Sequence, residues 1–137
     1  MAYLNNIMEQ TTWTPTIDGA VSGTTTYTTQ AGNYTWIGNI IIANFKIVIT
    51  AATGTGNVQI GGFPYALTAG GTITVGNCIF NGSSWSFPTS RTIVRLAMTP
   101  GNNFCLVRGC SSSVGIGTFQ MTNAALTVQG QITYFKS

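Results

Sequence analysis

Residues 40–51 alternate strictly between two sides of the chain, and this pattern constrains the fold more than any other segment. One side carries only apolar side chains: Ile41, Ala43, Phe45, Ile47 and Ile49. The opposite side is mixed and consists of Ile42, Asn44, Lys46, Val48 and Thr50. A period of two over this length is typical of a β-strand with one buried face. We therefore predict a strand over 40–51, with one face in the core and the other against solvent or another subunit.

Short runs of β-branched and aromatic residues continue from about residue 12 to the end of the chain. Their positions predict further strands at 23–30, 34–37, 58–60, 72–80, 92–99, 104–108 and 126–135. Turns are predicted at 31–33, 38–39 and 100–103, with a loop at 53–57. Strands this short, with turn signals roughly every 8 to 12 residues, predict an all-β, antiparallel β-sandwich that is jelly-roll-like. We divide the chain into an N-terminal arm or leader at 1–12 and a single β-sandwich domain at 13–137.

The chain has very few charged groups and no histidine. Five basic and two acidic residues make up 5% of the sequence, against about 25% in an ordinary soluble domain. A Ser–His–Asp or Cys–His catalytic arrangement is excluded because it requires histidine. Hydrolysis of a glycosidic bond needs two carboxyl groups, and Glu9 and Asp18 are the only candidates. We interpret them as solvated loop carboxylates and predict that the protein is not an enzyme; their pairing across chains of an oligomer remains the alternative.

The three cysteines do not form a metal-binding pattern. Cys105 and Cys110 are close in sequence, but a zinc site needs four ligands. Cys78 provides only a third, and the chain contains no histidine that could be the fourth. Free cysteines behave as small apolar residues, so we predict buried reduced thiols. A disulfide between Cys105 and Cys110 is the alternative. No metal and no cofactor is predicted.

Two classes of partner are not supported by the sequence. Lysine and arginine do not cluster as they do in nucleic-acid-binding domains, so no nucleic-acid partner is predicted. The most apolar segment, 37–52, contains Asn39, Asn44 and Lys46, and is too short and too polar to span a bilayer. The first residues lack the basic region and apolar stretch of a signal peptide. We therefore predict no membrane insertion and folding in a cytoplasm.

The order and spacing of several short motifs resemble the C-terminal domains of bacteriophage tail fibres and tailspikes. The resemblance touches most of the chain, and no single motif carries it alone. The matching residues are Trp13–Pro15, Tyr27, Gln30–Tyr34, Ile37–Asn39, the long apolar strand after them, Ile60–Pro64 and Gly130–Tyr134. Unlike a full fibre, this sequence contains no long shaft or collagen-like repeat.

The resemblance implies a homotrimeric β-sandwich at the tip of a viral adhesin, located in the virion as part of a phage tail. Such a module binds a bacterial surface glycan, either capsule or lipopolysaccharide, or trimerises the fibre or tailspike that it joins. A closed trimer also accounts for the low charge, because subunit contacts cover weakly polar faces. We expect a receptor- or carbohydrate-binding module; the alternative is a structural cap that trimerises a fibre or depolymerase and binds no glycan.

Aromatic and amide side chains provide the candidate binding residues, because sugars are bound by ring faces and by hydrogen bonds. The first candidates are Asn81, Trp85 and Phe87, in a predicted hairpin loop; Trp85 and Phe87 can instead point into the core. Tyr65, beside a proline, is a further candidate. Arg95 and Arg108 are candidates for an acidic polysaccharide. Arg95 lies within an apolar strand where few carboxylates are available, so it needs a carbonyl, water or an anion as partner.

Overall fold

Every element of the structure is a β-strand, and every strand pairing is antiparallel. The structure is a computed structural model that describes residues 10–70, 72–82, 93–111 and 116–136. The ten strands of this part of the chain are β1 Gln10–Trp13, β2 Thr16–Val21, β3 Thr25–Ile37, β4 Ile40–Ala52, β5 Thr55–Gly61, β6 Thr74–Asn81, β7 Ile93–Met98, β8 Cys105–Cys110, β9 Gly117–Thr118 and β10 Leu126–Phe135. The prediction of an all-β antiparallel fold is therefore confirmed.

The strands form one continuous sheet. Their order across the sheet is β1-β3-β4-β10-β6-β7-β8-β5-β2, and β9 pairs with β8 outside this path. The centre of one half is a long hairpin of β3 and β4, whose turn contains Gly38 with a positive φ of 59°. Such a φ favours glycine because it carries no Cβ. β10 pairs with β4 over its whole length, from Leu126 to Phe135.

The sheet curls until its last strand meets the hairpin again. β1 and β2 follow each other in the chain but lie at opposite ends of the strand order. β2 contacts β3 through side chains: the Tyr27 hydroxyl accepts a hydrogen bond from the Ile17 amide at 3.0 Å and donates one to the Ile17 carbonyl at 3.1 Å. The Gln30 amide donates to the Pro15 carbonyl at 2.9 Å. These bonds satisfy backbone groups on a strand edge that would otherwise stay open to pairing.

A single hydrophobic core lies on the inner side of this curled sheet. The apolar face predicted for β4 is buried at every position, with Ile41, Ala43 and Ile47 fully inaccessible. Trp13 and Phe63 stack with ring centroids 4.6 Å apart, and Phe45 meets both rings edge-on. All strands except the two-residue β9 and the partly apolar β6 contribute fully buried or nearly buried side chains. The other strands therefore have one inner, apolar face and one outer face.

The prediction of a turn at 31–33 is wrong, because these residues continue β3. Gly32 faces Trp13 of β1 in the strand register. A Cβ at position 32 would lie 2.6 Å from the Trp13 indole nitrogen. The glycine is thus present because an aromatic ring approaches the backbone closely, which is a common reason for glycine within a strand. The predicted loop at 53–57 is also shorter than expected, since β5 already begins at Thr55.

The three cysteines are free thiols. Cys105 is buried in the core, and Cys78 and Cys110 are half-buried. Burial raises the pKa of the Cys78 thiol to about 12 and raises the pKa of Cys105 as well. The predicted burial is thus found for Cys105 and only in part for Cys78 and Cys110, and no disulfide joins Cys105 and Cys110 in this structure.

The described residues contain no helix that is both long and apolar enough to cross a membrane. Within the same residues, no three histidine, cysteine or acidic side chains are grouped so that they can hold a metal ion.

Candidate functional site

The outer face of the sheet carries a row of amide side chains at matched positions of adjacent strands. Asn33 of β3 lies opposite Asn44 of β4. Asn44 lies opposite Gln131 of β10, and Gln131 lies opposite Asn77 of β6. Their chain neighbours on the inner side, such as Ala43 and Ile132, are buried. We call Asn33, Asn44, Gln131 and Asn77 the amide row.

Hydrogen bonds hold part of the amide row in a fixed orientation. The Gln131 side-chain amide donates to Asn44 Oδ1 at 2.7 Å, and Asn44 Nδ2 donates to Asn33 Oδ1 at 3.3 Å. The pairing of the strands positions these groups, because two residues that lie opposite each other on paired antiparallel strands have their side chains close together. The amide row is therefore a preformed strip of donors and acceptors that crosses four strands.

Two shallow depressions lie along the amide row and share Asn44. The first has a volume of about 750 Å³ and lies where β1 leaves the sheet edge. Most of its lining residues are polar: Gln10, Thr12, Thr14, Gln30, Asn33, Asn44 and Lys46. Trp13 and Phe45 also border it, but both are buried in the core. The second depression, of about 440 Å³, lies over β4, β10 and β6 and is lined by Asn44, Asn77, Gln131 and neighbouring residues.

The amide row leads into two arginines. Asn77 lies opposite Arg95 of β7, and Arg95 lies opposite Arg108 of β8. Arg95 donates a hydrogen bond from Nη1 to Asn77 Oδ1 at 2.9 Å. We call Arg95 and Arg108 the arginine pair. The sequence singled out both residues, and the structure brings them together on the outer face.

A third cavity, of about 280 Å³, lies against the arginine pair. We call it the arginine cavity. Apart from the guanidinium groups its lining is almost entirely apolar and includes Ile73, Val75, Leu96, Ala97 and Ile116. Of these, Ile73, Val75 and Ile116 are at least half exposed to solvent. The site thus combines two positive charges with an uncovered aliphatic surface.

The other binding candidates from the sequence do not join this site. Tyr65 lies against Tyr34 with ring centroids 6.1 Å apart, and the Lys136 ammonium sits 4.7 Å from its ring centre. One face of the Tyr65 ring is therefore occupied by a cation. Asn81 is exposed at the end of β6, opposite Thr127 of β10. Trp85 and Phe87 lie outside the described residues.

The carboxylate of Asp18 has local partners. Its Oδ1 accepts a hydrogen bond from the Gly19 amide at 2.8 Å, and both of its oxygens lie 3.2 Å from the Gly23 amide nitrogen. These bonds fix the turn that follows β2. Glu9, the second carboxylate of the chain, lies outside the described residues. The arrangement around Asp18 is that of a turn-stabilising group.

Sequence reasoning missed the amide row. The outward positions of β4 were identified as mixed, and Asn44 was among them, but its partners come from strands that are distant in sequence. Asn44 and Gln131 are 87 residues apart. The sequence does contain one sign of the amide row, an amide at an outward position in three or more predicted strands. These amides can be recognised as one row only when the strand order is known.

Comparison of the chain with protein families, curated proteins and solved structures finds no match.

Proposed function

We propose that this protein is a non-enzymatic, homotrimeric module of a bacteriophage tail fibre or tailspike that binds bacterial surface polysaccharide. In this proposal the curled sheet is a jelly-roll-like β-sandwich that presents one glycan-binding face per subunit. Three weak sites on one trimer increase the overall affinity for a repetitive polysaccharide without any further contact.

The observation that carries the proposal is the amide row with its two depressions. A sugar hydroxyl both donates and accepts hydrogen bonds, and so does a side-chain amide. Adjacent strands are spaced about 4.8 Å apart, so the amides recur at intervals comparable to the length of one sugar unit. A linear polysaccharide lying across the strands would meet an amide at each step.

Electrostatics supports the same ligand class. The first depression contains one ammonium group, Lys46, and none of its lining residues is acidic. Such a surface does not repel a neutral glycan, and it attracts an acidic one. The described lining residues include no carboxylate pair for hydrolysis, which favours binding over cleavage.

An array of bacterial capsular polysaccharides and lipopolysaccharides tests the proposal, with the Asn44→Ala variant as the probe. Asn44 borders both depressions, so its loss removes contacts with the ligand and also releases Gln131. We expect the affinity for the bound glycan to fall at least about tenfold, the equivalent of one or two hydrogen bonds. Thr50→Ala is the matched control, because Thr50 is exposed on the same strand outside the amide row. Absence of binding to every glycan by the unmodified protein would overturn the proposal, as would unchanged binding by Asn44→Ala.

A second candidate function, a trimerising cap that binds no glycan, is favoured by one specific observation. Large aliphatic side chains are exposed on and beside the outer face of β6 and β7. They are Ile73, Val75, Ile79, Ile93 and Ile116, with exposures of 44 to 70%. An exposed apolar group of this kind often marks a protein–protein contact.

Light scattering of the unmodified protein and of Ile79→Lys separates the two roles. Under the cap hypothesis Ile79, which is 65% exposed on one chain, is buried between subunits. Ile79→Lys then converts a trimer into monomers of 14.4 kDa, and no glycan binds to either form. A trimer that persists in Ile79→Lys and still binds glycan contradicts the cap.

A further inference from the structure

The arginine pair places two positive charges on directly opposite residues of neighbouring strands. Like charges in this arrangement repel each other, and an opposite charge nearby normally compensates for that. Among the described residues the only acidic side chain is Asp18, and its carboxylate is held by the Gly19 and Gly23 amides. The compensating anion for the arginine pair is therefore not supplied by this part of the chain.

The lack of a partner is clearest at one nitrogen atom of Arg108. Its Nε is buried and has no hydrogen-bond partner in the structure. A buried donor without a partner is costly, and the cost is higher in a charged group. Arg95 has one neutral partner, the Asn77 side chain, for one of its nitrogens. Guanidinium groups with unused donors are well suited to carboxylates, because two parallel N–H groups match two oxygens.

The arginine cavity adds a second requirement for the ligand. Its volume of about 280 Å³ is small, near the lower limit for ligand pockets. Its walls are aliphatic, with Val75, Ala97 and Ile116 beside the guanidinium groups. A fully hydrated anion such as phosphate gains nothing from such walls, whereas an anion with a small attached apolar group fills them.

We propose that the arginine pair binds the carboxylate of an acidic sugar, and that the arginine cavity holds a small apolar substituent next to that carboxylate. A pyruvyl ketal, which carries a methyl group beside its carboxylate, has this chemistry. The inference rests on the proposed function and extends it: the amide row binds the neutral part of the polysaccharide, and the arginine pair selects chains that carry this substituent.

Calorimetric titration of the full chain with a pyruvyl-ketal galactoside tests the site without a polysaccharide. The methyl ester of the same galactoside removes the charge and adds one methyl group, and galacturonic acid retains a carboxylate but lacks the ketal methyl group. We expect the ester to bind at least about tenfold more weakly than the acid, as for loss of a charged hydrogen-bonded pair. Galacturonic acid should fall between the two.

Three variants complete the test. Arg108→Gln should lower the affinity for the acid at least about tenfold, and Arg95→Gln should do the same. Arg95 is exposed, so this second variant keeps the test valid if Arg108→Gln does not fold. Lys136→Gln is the charge-matched control: it removes the same charge beside Tyr65, and Lys136 does not line the arginine cavity. This variant should bind the acid as the unmodified protein does.

Equal binding of acid and ester, or binding of inorganic phosphate as tight as that of the acid, would overturn the inference. So would an equal loss of affinity in Lys136→Gln. These failures differ from failure of the proposed function, because neutral glycan binding that depends on Asn44 would persist. If Arg95→Gln instead dissociates the trimer and no carboxylate binds, the arginine pair belongs to a subunit contact and the inference is wrong.

Discussion

At the scale of single residues, the contact between Gly32 and Trp13 holds β1 against the sheet. The Trp13 indole nitrogen donates to the carbonyls of Asn33 and Asn44 at 3.3 and 3.2 Å. The ring covers Gly32 and stacks on Phe63. One aromatic side chain therefore joins β1, β3 and β4 to the core, and it also borders the first depression.

Gly32→Ala should destabilise the protein by displacing this ring. The new Cβ would approach the indole to within 2.6 Å, and relief of such crowding in a packed core costs about 1–3 kcal/mol. Urea unfolding measures the loss. Ala31→Ser, an exposed change at the adjacent position, is the control and should alter the unfolding free energy by less than about 0.5 kcal/mol. Equal stabilities of Gly32→Ala and the unmodified protein would show that the ring can move away freely.

The same residue explains the error in the predicted turn at 31–33. Glycine beside asparagine is a strong turn signal when only the local sequence is known. Here the glycine provides space for a ring from residue 13, which is distant in sequence. The buried face of β4, by contrast, was predicted correctly at every position, because burial on a strand follows from local alternation.

At the scale of elements, β2 is held on one of its edges by side-chain hydrogen bonds. One of its edges pairs with β5 in the sheet. Its other edge faces β3, where the Tyr27 hydroxyl bonds both backbone groups of Ile17. Closure of the curled sheet therefore depends on a few hydroxyl and amide groups.

Tyr27→Phe should weaken this closure while leaving the ring packing intact. The Ile17 amide loses its partner, which costs about 1–3 kcal/mol for a backbone donor shielded from water. Urea unfolding measures the change, and hydrogen exchange at Ile17 should accelerate. Thr28→Val removes an exposed hydroxyl from the same strand and should have little effect. Slow exchange at Ile17 in Tyr27→Phe would mean that another group or a water molecule replaces the hydroxyl.

The limits of the last strand could be predicted from the sequence, but its neighbours in the sheet could not. β10 was predicted with its observed limits, Leu126–Phe135. The pairing of β10 between β4 and β6, which assembles the amide row, links segments far apart in the chain. Arg95 was recognised as unusual because of its apolar strand, yet its position opposite Arg108 required the register of β7 and β8.

At the scale of the whole molecule, the scarcity of ionisable groups determines how stability responds to pH. The chain contains no histidine and two acidic residues. No side chain with an ordinary pKa between about 5 and 8 is present. The buried thiols therefore become the first groups whose ionisation affects folding as the pH rises.

The unfolding free energy should be nearly constant between about pH 5 and pH 8 and should fall at higher pH. Unfolded thiols ionise near pH 8.5, whereas burial raises the pKa of Cys78 to about 12 and that of Cys105 further. Above pH 8.5 the folded state thus binds more protons than the unfolded state, so stability decreases with pH. The limiting slope is about 1.4 kcal/mol per pH unit for each fully buried thiol. Urea unfolding from pH 5 to pH 10 measures this profile, and Cys78→Ala should make the decline above pH 8.5 shallower. A marked change in stability around pH 6 to 7, or a rise above pH 9, would contradict the expected profile.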